Sequence, residues 1–360
     1  NNKLYQFLGQ SQDNFSTGKI SYITSSDGRT WSDIISPLNM SGEGYSDKYG
    51  NDISLVIYNN KLWMFASAYT SGSTQGAIYY HTSSDGENWS DRIKMNNGTA
   101  TNSYYGSNIK AIADENLSKI TVFAGHPSTG TNSDYGVYYS YTTDEGASWN
   151  GKFVVSQVGI NRAGGVTVDA LSCSSGYQVA FSVPLEDNGA IVDTGEIYVT
   201  TSSNGTWSSP YLKTRIATGS VSDSNLGGSY IRIVNYKSKS YCFFGSLPNF
   251  ESSATINPGA LYVVSSSNNN EWISSDYVDE KKYLLYSGSN HNDSIGSIDG
   301  VNPNNTLTTY YQRFYRSPFD AIVKDDSLFW IVGNSAGRDD SLNITGELAI
   351  GKTKDGILWN

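Results

Sequence analysis

An all-β chain is predicted, arranged as a six-bladed β-propeller of four-stranded blades with incomplete first and last blades, and three features of the sequence predict it. A turn-like segment ending in Trp recurs six times, strand-like runs surround each copy in a fixed order, and no stretch holds a helical period. The copies are SSDGRTW (Ser25 to Trp31), SSDGENW (Ser83 to Trp89), TTDEGASW (Thr142 to Trp149), SSNGTW (Ser202 to Trp207), SSSNNNEW (Ser265 to Trp272) and TKDGILW (Thr353 to Trp359). Their Trp residues stand 58, 60, 58, 65 and 87 positions apart. That period suits one four-stranded unit with generous loops, somewhat longer than the ~40–50 residues of compact blades.

The strands follow in order. Ile53 to Tyr58, the turn pair Asn59-Asn60 and Lys61 to Ala66 form a hairpin signal, two apolar runs joined by turn residues. A third strand, Ala77 to His81, leads into the motif, and a fourth, Asp91 to Met95, follows it. The same order recurs at Ile109 to Ala113, Lys119 to Ala124, Val137 to Tyr141 and Lys152 to Val155. It recurs again at Val166 to Leu171, Gln178 to Ser182, Glu196 to Thr200 and Tyr211 to Lys213. The repeats occupy about 1–40, 50–97, 105–157, 160–215, 226–280 and 314–360, in a single domain over 1–360. The first repeat begins at Lys3 to Phe7, which matches a second strand, and the last stops at Trp359-Asn360, before a fourth. The 87-residue spacing marks an insertion over about 281–313, with an extended loop from Gly288 to Asn305.

Within each motif the Asp carboxylate of Asp27, Asp85, Asp144 or Asp355 is placed to accept backbone amides in a tight turn. Gly28, Gly86, Gly146 and Gly356 supply a backbone conformation that other residues adopt at a cost. Trp31, Trp89, Trp149, Trp207, Trp272 and Trp359 are expected to bury their rings between neighbouring sheets. The motif is therefore scaffold. These segments resemble the Asp-box, Ser-x-Asp-x-Gly-x-Thr-Trp, of the sialidase-like propellers. Thr142 to Trp149 fits it at full length; the copies at Ser25, Ser83, Ser202 and Thr353 run one residue shorter, and the copy at Ser265 is degenerate.

Composition narrows the partners. With 24 Lys and Arg against 34 Asp and Glu the net charge is −10, and the cations form no basic stripe, which argues against nucleic acid and against anionic membrane surfaces. No apolar run reaches the ~20 residues of a membrane helix. Cys173 and Cys242 lie in apolar, strand-like stretches, where buried thiols are favoured over a disulfide. His81, His126 and His291 are too scattered for a metal centre, so neither a metal nor a cofactor is expected.

Ligand-facing residues of a propeller lie near the starts of the innermost strands. Here those positions hold Asp52, Asn108, Lys110, Arg162, Tyr230, Arg232, Arg316 and Asp320. Guanidinium groups converging there would take a carboxylate through bidentate hydrogen bonds; the plainer alternative is that each Arg pairs locally with an Asp. The segment Tyr315-Arg316-Ser317-Pro318 is similar to the Tyr/Phe-Arg-Ile-Pro segment of sialidases, and this resemblance implies that Arg316 binds a substrate carboxylate. By the same resemblance Asp339, in Gly337-Arg338-Asp339-Asp340, stands as general acid and Tyr230 as nucleophile. The segment sits in the last repeat, where the family has it in the first, and no Glu partner for the Tyr is identifiable. The leading expectation is a secreted or cell-surface propeller that binds glycan or another surface ligand, with Tyr104, Tyr105, Tyr310 and Tyr311 as stacking candidates. A sialidase-type glycoside hydrolase is the second. A surface-layer or appendage subunit that self-associates through its incomplete end blades is the third.

Overall fold

The computed structural model describes residues 3–10, 19–27, 29–39, 48–69, 76–95, 107–126, 136–156, 167–173, 176–183, 186–187, 190–191, 196–203, 206–207, 211–215, 231–245, 260–267, 283–287, 319–338 and 344–354. Every regular element among them is a β-strand, and every strand pairing is antiparallel. The chain divides into two compact units, 1–160 and 161–360.

In the first unit β1 (Leu4–Gln10), β2 (Lys19–Ser25) and β3 (Ile35–Asn39) form a three-stranded sheet in that order. The second sheet runs β4 (Lys48–Tyr58), β5 (Lys61–Tyr69), β6 (Gly76–Ser83), β7 (Ile93–Lys94). The third runs β8 (Ser107–Asp114), β9 (Lys119–His126), β10 (Gly136–Thr142), β11 (Asn150–Ser156). Tight hairpins explain this meander. Asn59 and Asn60 both take left-handed φ, 50° and 58°, as a two-residue turn that matches strand twist requires, and Asn tolerates that region better than most residues.

In the second unit β12 (Thr167–Cys173) and β13 (Gly176–Val183) lead to a small ribbon of β14 (Glu186–Asp187) and β15 (Ala190–Ile191). The main sheet continues with β16 (Glu196–Ser203), which pairs with both β17 (Thr206–Trp207) and β18 (Tyr211–Arg215). The next sheet is β19 (Ile231–Tyr236), β20 (Lys239–Gly245), β21 (Ala260–Ser266), β22 (Tyr283–Ser287). The last has three strands, β23 (Phe319–Lys324), β24 (Ser327–Arg338) and β25 (Ile344–Thr353). β22 begins inside the stretch assigned to the insertion: residues 283–287 complete the fourth strand of this sheet.

Packing accounts for the unbroken apolar runs of the second strands. In β5, Trp63 and Phe65 enter one cluster with Ile120, Val122 and Trp149 of the third sheet, while Met64 and Ala66 enter another with Ile20 and Phe7 of the first. In β20, Tyr241 and Phe243 pack with Phe319, Leu328 and Trp330, while Cys242 and Phe244 pack with Ala180 and Val199. Successive side chains of a strand point to opposite faces, so a sheet covered on both sides needs apolar residues at every position. Cys173 and Cys242 are thiols not joined in a disulfide; Cys242 is buried, whereas Cys173 is only partly so, short of the burial expected of it. Burial pushes the Cys242 thiol up, so that it stays protonated and inert.

Candidate functional site

Three motif turns are described, and one hydrogen-bond pattern serves all three. Asp27 Oδ1 accepts the backbone amides of Arg29 and Thr30, both at 2.8 Å. Asp85 Oδ1 accepts those of Glu87 and Asn88 at 2.8 and 2.7 Å. In the longer third turn Asp144 Oδ1 takes the amide of Ser148 at 2.9 Å, and the Ser148 hydroxyl donates to Oδ2 at 2.5 Å. The preceding Ser25, Ser83 or Thr142 hydroxyl donates to the same carboxylate at 3.0, 3.0 and 2.7 Å. These bonds favour the charged form: the Thr30 and Arg29 amides hold the Asp27 carboxyl down at about 2, and the Ser148 hydroxyl and amide hold Asp144 at about 2. The amide groups of Asn88 hold Asp85 well below the usual carboxylate range. Each carboxylate is thus engaged by its own turn. Ser32 and Ser90, directly after the first two Trp residues, clamp the turn further: each amide bonds the carbonyl of Thr24 or Thr82 at 2.9 and 2.8 Å. The repeated Trp-Ser dipeptide carried that signal.

The turns dock on the preceding sheet. Tyr5 Oη donates to the carbonyl of Asp85 and Tyr80 Oη to that of Gly146, both at 3.2 Å. Gly86 and Gly146 have φ of +78° and +86°, and an added Cβ would stand 2.5 and 2.6 Å from those same hydroxyls. The motif Trp lies beside the contact. Trp89 meets Phe7 edge-on at 5.7 Å, and Trp149, 6% exposed, meets Phe65 at 5.9 Å and Tyr80 at 5.8 Å. Trp31 departs from the expectation of a buried ring: it is 37% exposed. Trp89 and Trp149 each pack on the sheet before their own. Trp207 is half-buried. Asp355, Trp272 and Trp359 lie outside the described residues.

The innermost strands show a second pattern. Counted back four residues from the last paired residue before each hairpin, Ser54, Lys110, Asp169, Arg232 and Asp320 are equivalent. Ser54 Oγ accepts the amide of Ala111 in the next sheet at 2.8 Å, and the buried Asp169 accepts that of Ile233 at 2.8 Å. Arg232 Nε donates to Asp320 Oδ1 at 3.1 Å, and Ala321 donates to the same oxygen at 2.8 Å. Two residues assigned separately to a ligand are therefore an ion pair between neighbouring strands. Sequence reasoning missed Ser54 and Asp169, although one polar residue inside an apolar inner strand was the available signal. Asp52 lies in the register shift of β4, four residues after its first residue, and Asn108 in that of β8. Arg162, Tyr230, Arg316 and Asp339 lie outside the described residues. Among the described residues no group of three or more His, Cys, Asp and Glu side chains could hold a metal.

No family model matches the chain, and no curated protein matches it in sequence. Its likeness is to solved folds. Trypanosoma rangeli sialidase in complex with sialic acid matches 99% of this chain at 13% identity and a TM-score of 0.55. Another structure, of the Trypanosoma rangeli sialidase, matches 97% at 12% identity and a TM-score of 0.53. This chain spans about half the length of each, 53%. The likeness is one of fold: this chain is all-β with several four-stranded antiparallel sheets, and these neighbours are propeller-fold glycoside hydrolases.

Proposed function

We propose that the chain is a six-bladed Asp-box propeller that binds glycan at a cell surface or outside the cell. The observation that carries this reading is the fold likeness, across 99% of the chain, to a sialidase whose structure holds sialic acid. In this reading both compact units belong to one ring, and the ligand sits at the starts of the innermost strands. Arg316 and Arg162 are the residues this reading assigns to an anionic partner, because Arg232 is already engaged by Asp320. A guanidinium fork suits a planar carboxylate, so an acidic sugar is the ligand class to test first. Self-association through the end sheets belongs to the same proposal: among the described strands β1 and β25 are each paired on one edge, and such an edge accepts a further strand.

A sialidase-type hydrolysis is the second reading, supported by the Tyr315-Arg316-Ser317-Pro318 segment and the same fold likeness. Arg316 would clamp the substrate carboxylate, Asp339 protonate the leaving oxygen and Tyr230 attack the anomeric carbon. A glycan array and an α-sialoside cleavage assay, run on the wild type and on Arg316→Ala, test both. Retention of acidic glycans that Arg316→Ala loses supports the binding reading. Release of sialic acid, also lost in that variant, moves the chain to the hydrolases. Failure to retain any glycan, with no cleavage, ends both.

A further inference from the structure

Outside that candidate site, at the opposite end of the strands, the first unit holds an open cleft of about 770 Å3 between its second and third sheets. It is lined by Tyr58 and Asn59 from one hairpin, Glu115 from the next, and Thr143, Asp144 and Glu145 from the motif turn. Tyr58 is 7% exposed, and its hydroxyl makes no hydrogen bond among the described residues. Asp144 is consumed by its own turn, and Glu145 accepts from the Asn59 amide and from Lys61 at 3.3 Å. Among the described residues the Glu115 side chain has no hydrogen bond or ion pair.

The second unit contains the same junction in a filled form. Tyr58↔Lys61 and Tyr236↔Lys239 are equivalent closing pairs of first hairpins, and the residue after each Tyr has the same left-handed backbone, φ 50° at Asn59 and 46° at Lys237. The Tyr236 hydroxyl lies 2.8 Å from the carbonyls of Asp326 and Lys354, which belong to the next sheet's first hairpin and motif turn. Lys237 fills the remaining space: its ammonium donates to Lys354 O at 2.7 Å, stands 3.3 Å from the Asp326 carboxylate and lies over the Tyr236 ring at 5.3 Å. An ammonium, a carboxylate, a turn carbonyl and a Tyr thus complete this junction. In the first unit the Tyr, the carboxylate of Glu115 and the motif turn are present, but Asn59 replaces the Lys and turns to Glu145.

We propose that the cleft at Tyr58 and Glu115 binds an organic primary ammonium group supplied from outside the chain, a free polyamine or a lysine side chain, in the position that Lys237 takes in the second unit. Glu115 provides the charge-assisted contact and the Tyr58 hydroxyl a neutral one. The test is calorimetric titration of the full chain at physiological ionic strength with cadaverine, Nα-acetyl-lysine amide and, as a neutral control, pentan-1-ol. Saturable binding of either amine, with none of the alcohol, is expected. Glu115→Gln should weaken it about tenfold or more, as loss of a charged hydrogen bond does. Asn59→Lys, which rebuilds the intramolecular ammonium, should abolish it while leaving the fold intact. Tighter binding of the acetyl-lysine amide points to a lysine on a partner protein, and tighter binding of cadaverine to a free polyamine. Unsaturable binding, or equal binding by wild type, Glu115→Gln and Asn59→Lys, overturns the proposal.

Discussion

Asp27, Asp85 and Asp144 show how a single residue type can shape a loop: one short carboxylate satisfies amides that a tight turn leaves without partners. Their charged state carries part of the fold's acid stability. Asp27 and Asp144 titrate at about 2 in the folded chain and near 3.8 when free, so their contribution is present above 3.8 and is lost as pH falls toward 2. His81 acts earlier. Burial holds its imidazole below the ordinary 6.5, with Nδ1 at 2.9 Å from the Ser90 carbonyl. The unfolded chain then binds the proton more readily, so stability falls as pH drops below 6.5. We expect a melting temperature that declines from there, and a flatter profile in His81→Gln; an unchanged slope in the variant would remove His81 from this account. Gly146→Ala should also destabilise the chain, by about 1 kcal/mol or more, since it pairs a left-handed φ with a contact to the Tyr80 hydroxyl. Thermal denaturation of the variant checks this.

At the scale of the element, the first and second sheets are each finished by the motif turn of the next one. Trp149 reaches back over Phe65 and Tyr80 and closes the cluster between the second and third sheets. Trp149→Ala should therefore cost about 3–5 kcal/mol, as large-to-small changes of buried aromatics do. Trp31 occupies the same motif position but is 37% exposed, and Trp31→Ala should stay within about 0.5 kcal/mol. Chemical denaturation of the pair provides the contrast. Equal losses would show that the ring of Trp31 is as well packed as that of Trp149. The inner strands add a second tie, because Ser54 and Asp169 each satisfy an amide in the following sheet.

For the whole molecule, the proposal of one six-bladed ring makes a calorimetric prediction. Blades that share every interface lose their order together, so a single heat-capacity peak is expected, with calorimetric and van't Hoff enthalpies in agreement. Two separable peaks would mean that units 1–160 and 161–360 fold as independent bodies. A deletion ending at residue 160 provides a second check: under the ring proposal it should melt well below the intact chain.

The sequence by itself determined the strand order and the scaffold. The Asn59-Asn60 turn, the run Lys61 to Ala66 and the six Trp-terminated motifs are local signals in the sequence, and in the three described turns the Asp carboxylate bonds within its own turn. It also carried Arg232 and Asp320 as noteworthy charges, but only as separate residues 88 positions apart. Tertiary structure decided that they pair, that Trp31 is exposed where Trp149 is buried, and that Tyr58 and Tyr236 end one in an open cleft and the other in a closed junction. These outcomes depend on which sheet lies against which, and, for the two Tyr residues, on whether their own hairpin offers an amide or an ammonium. A repeat repeats its turn chemistry; it does not repeat its neighbours.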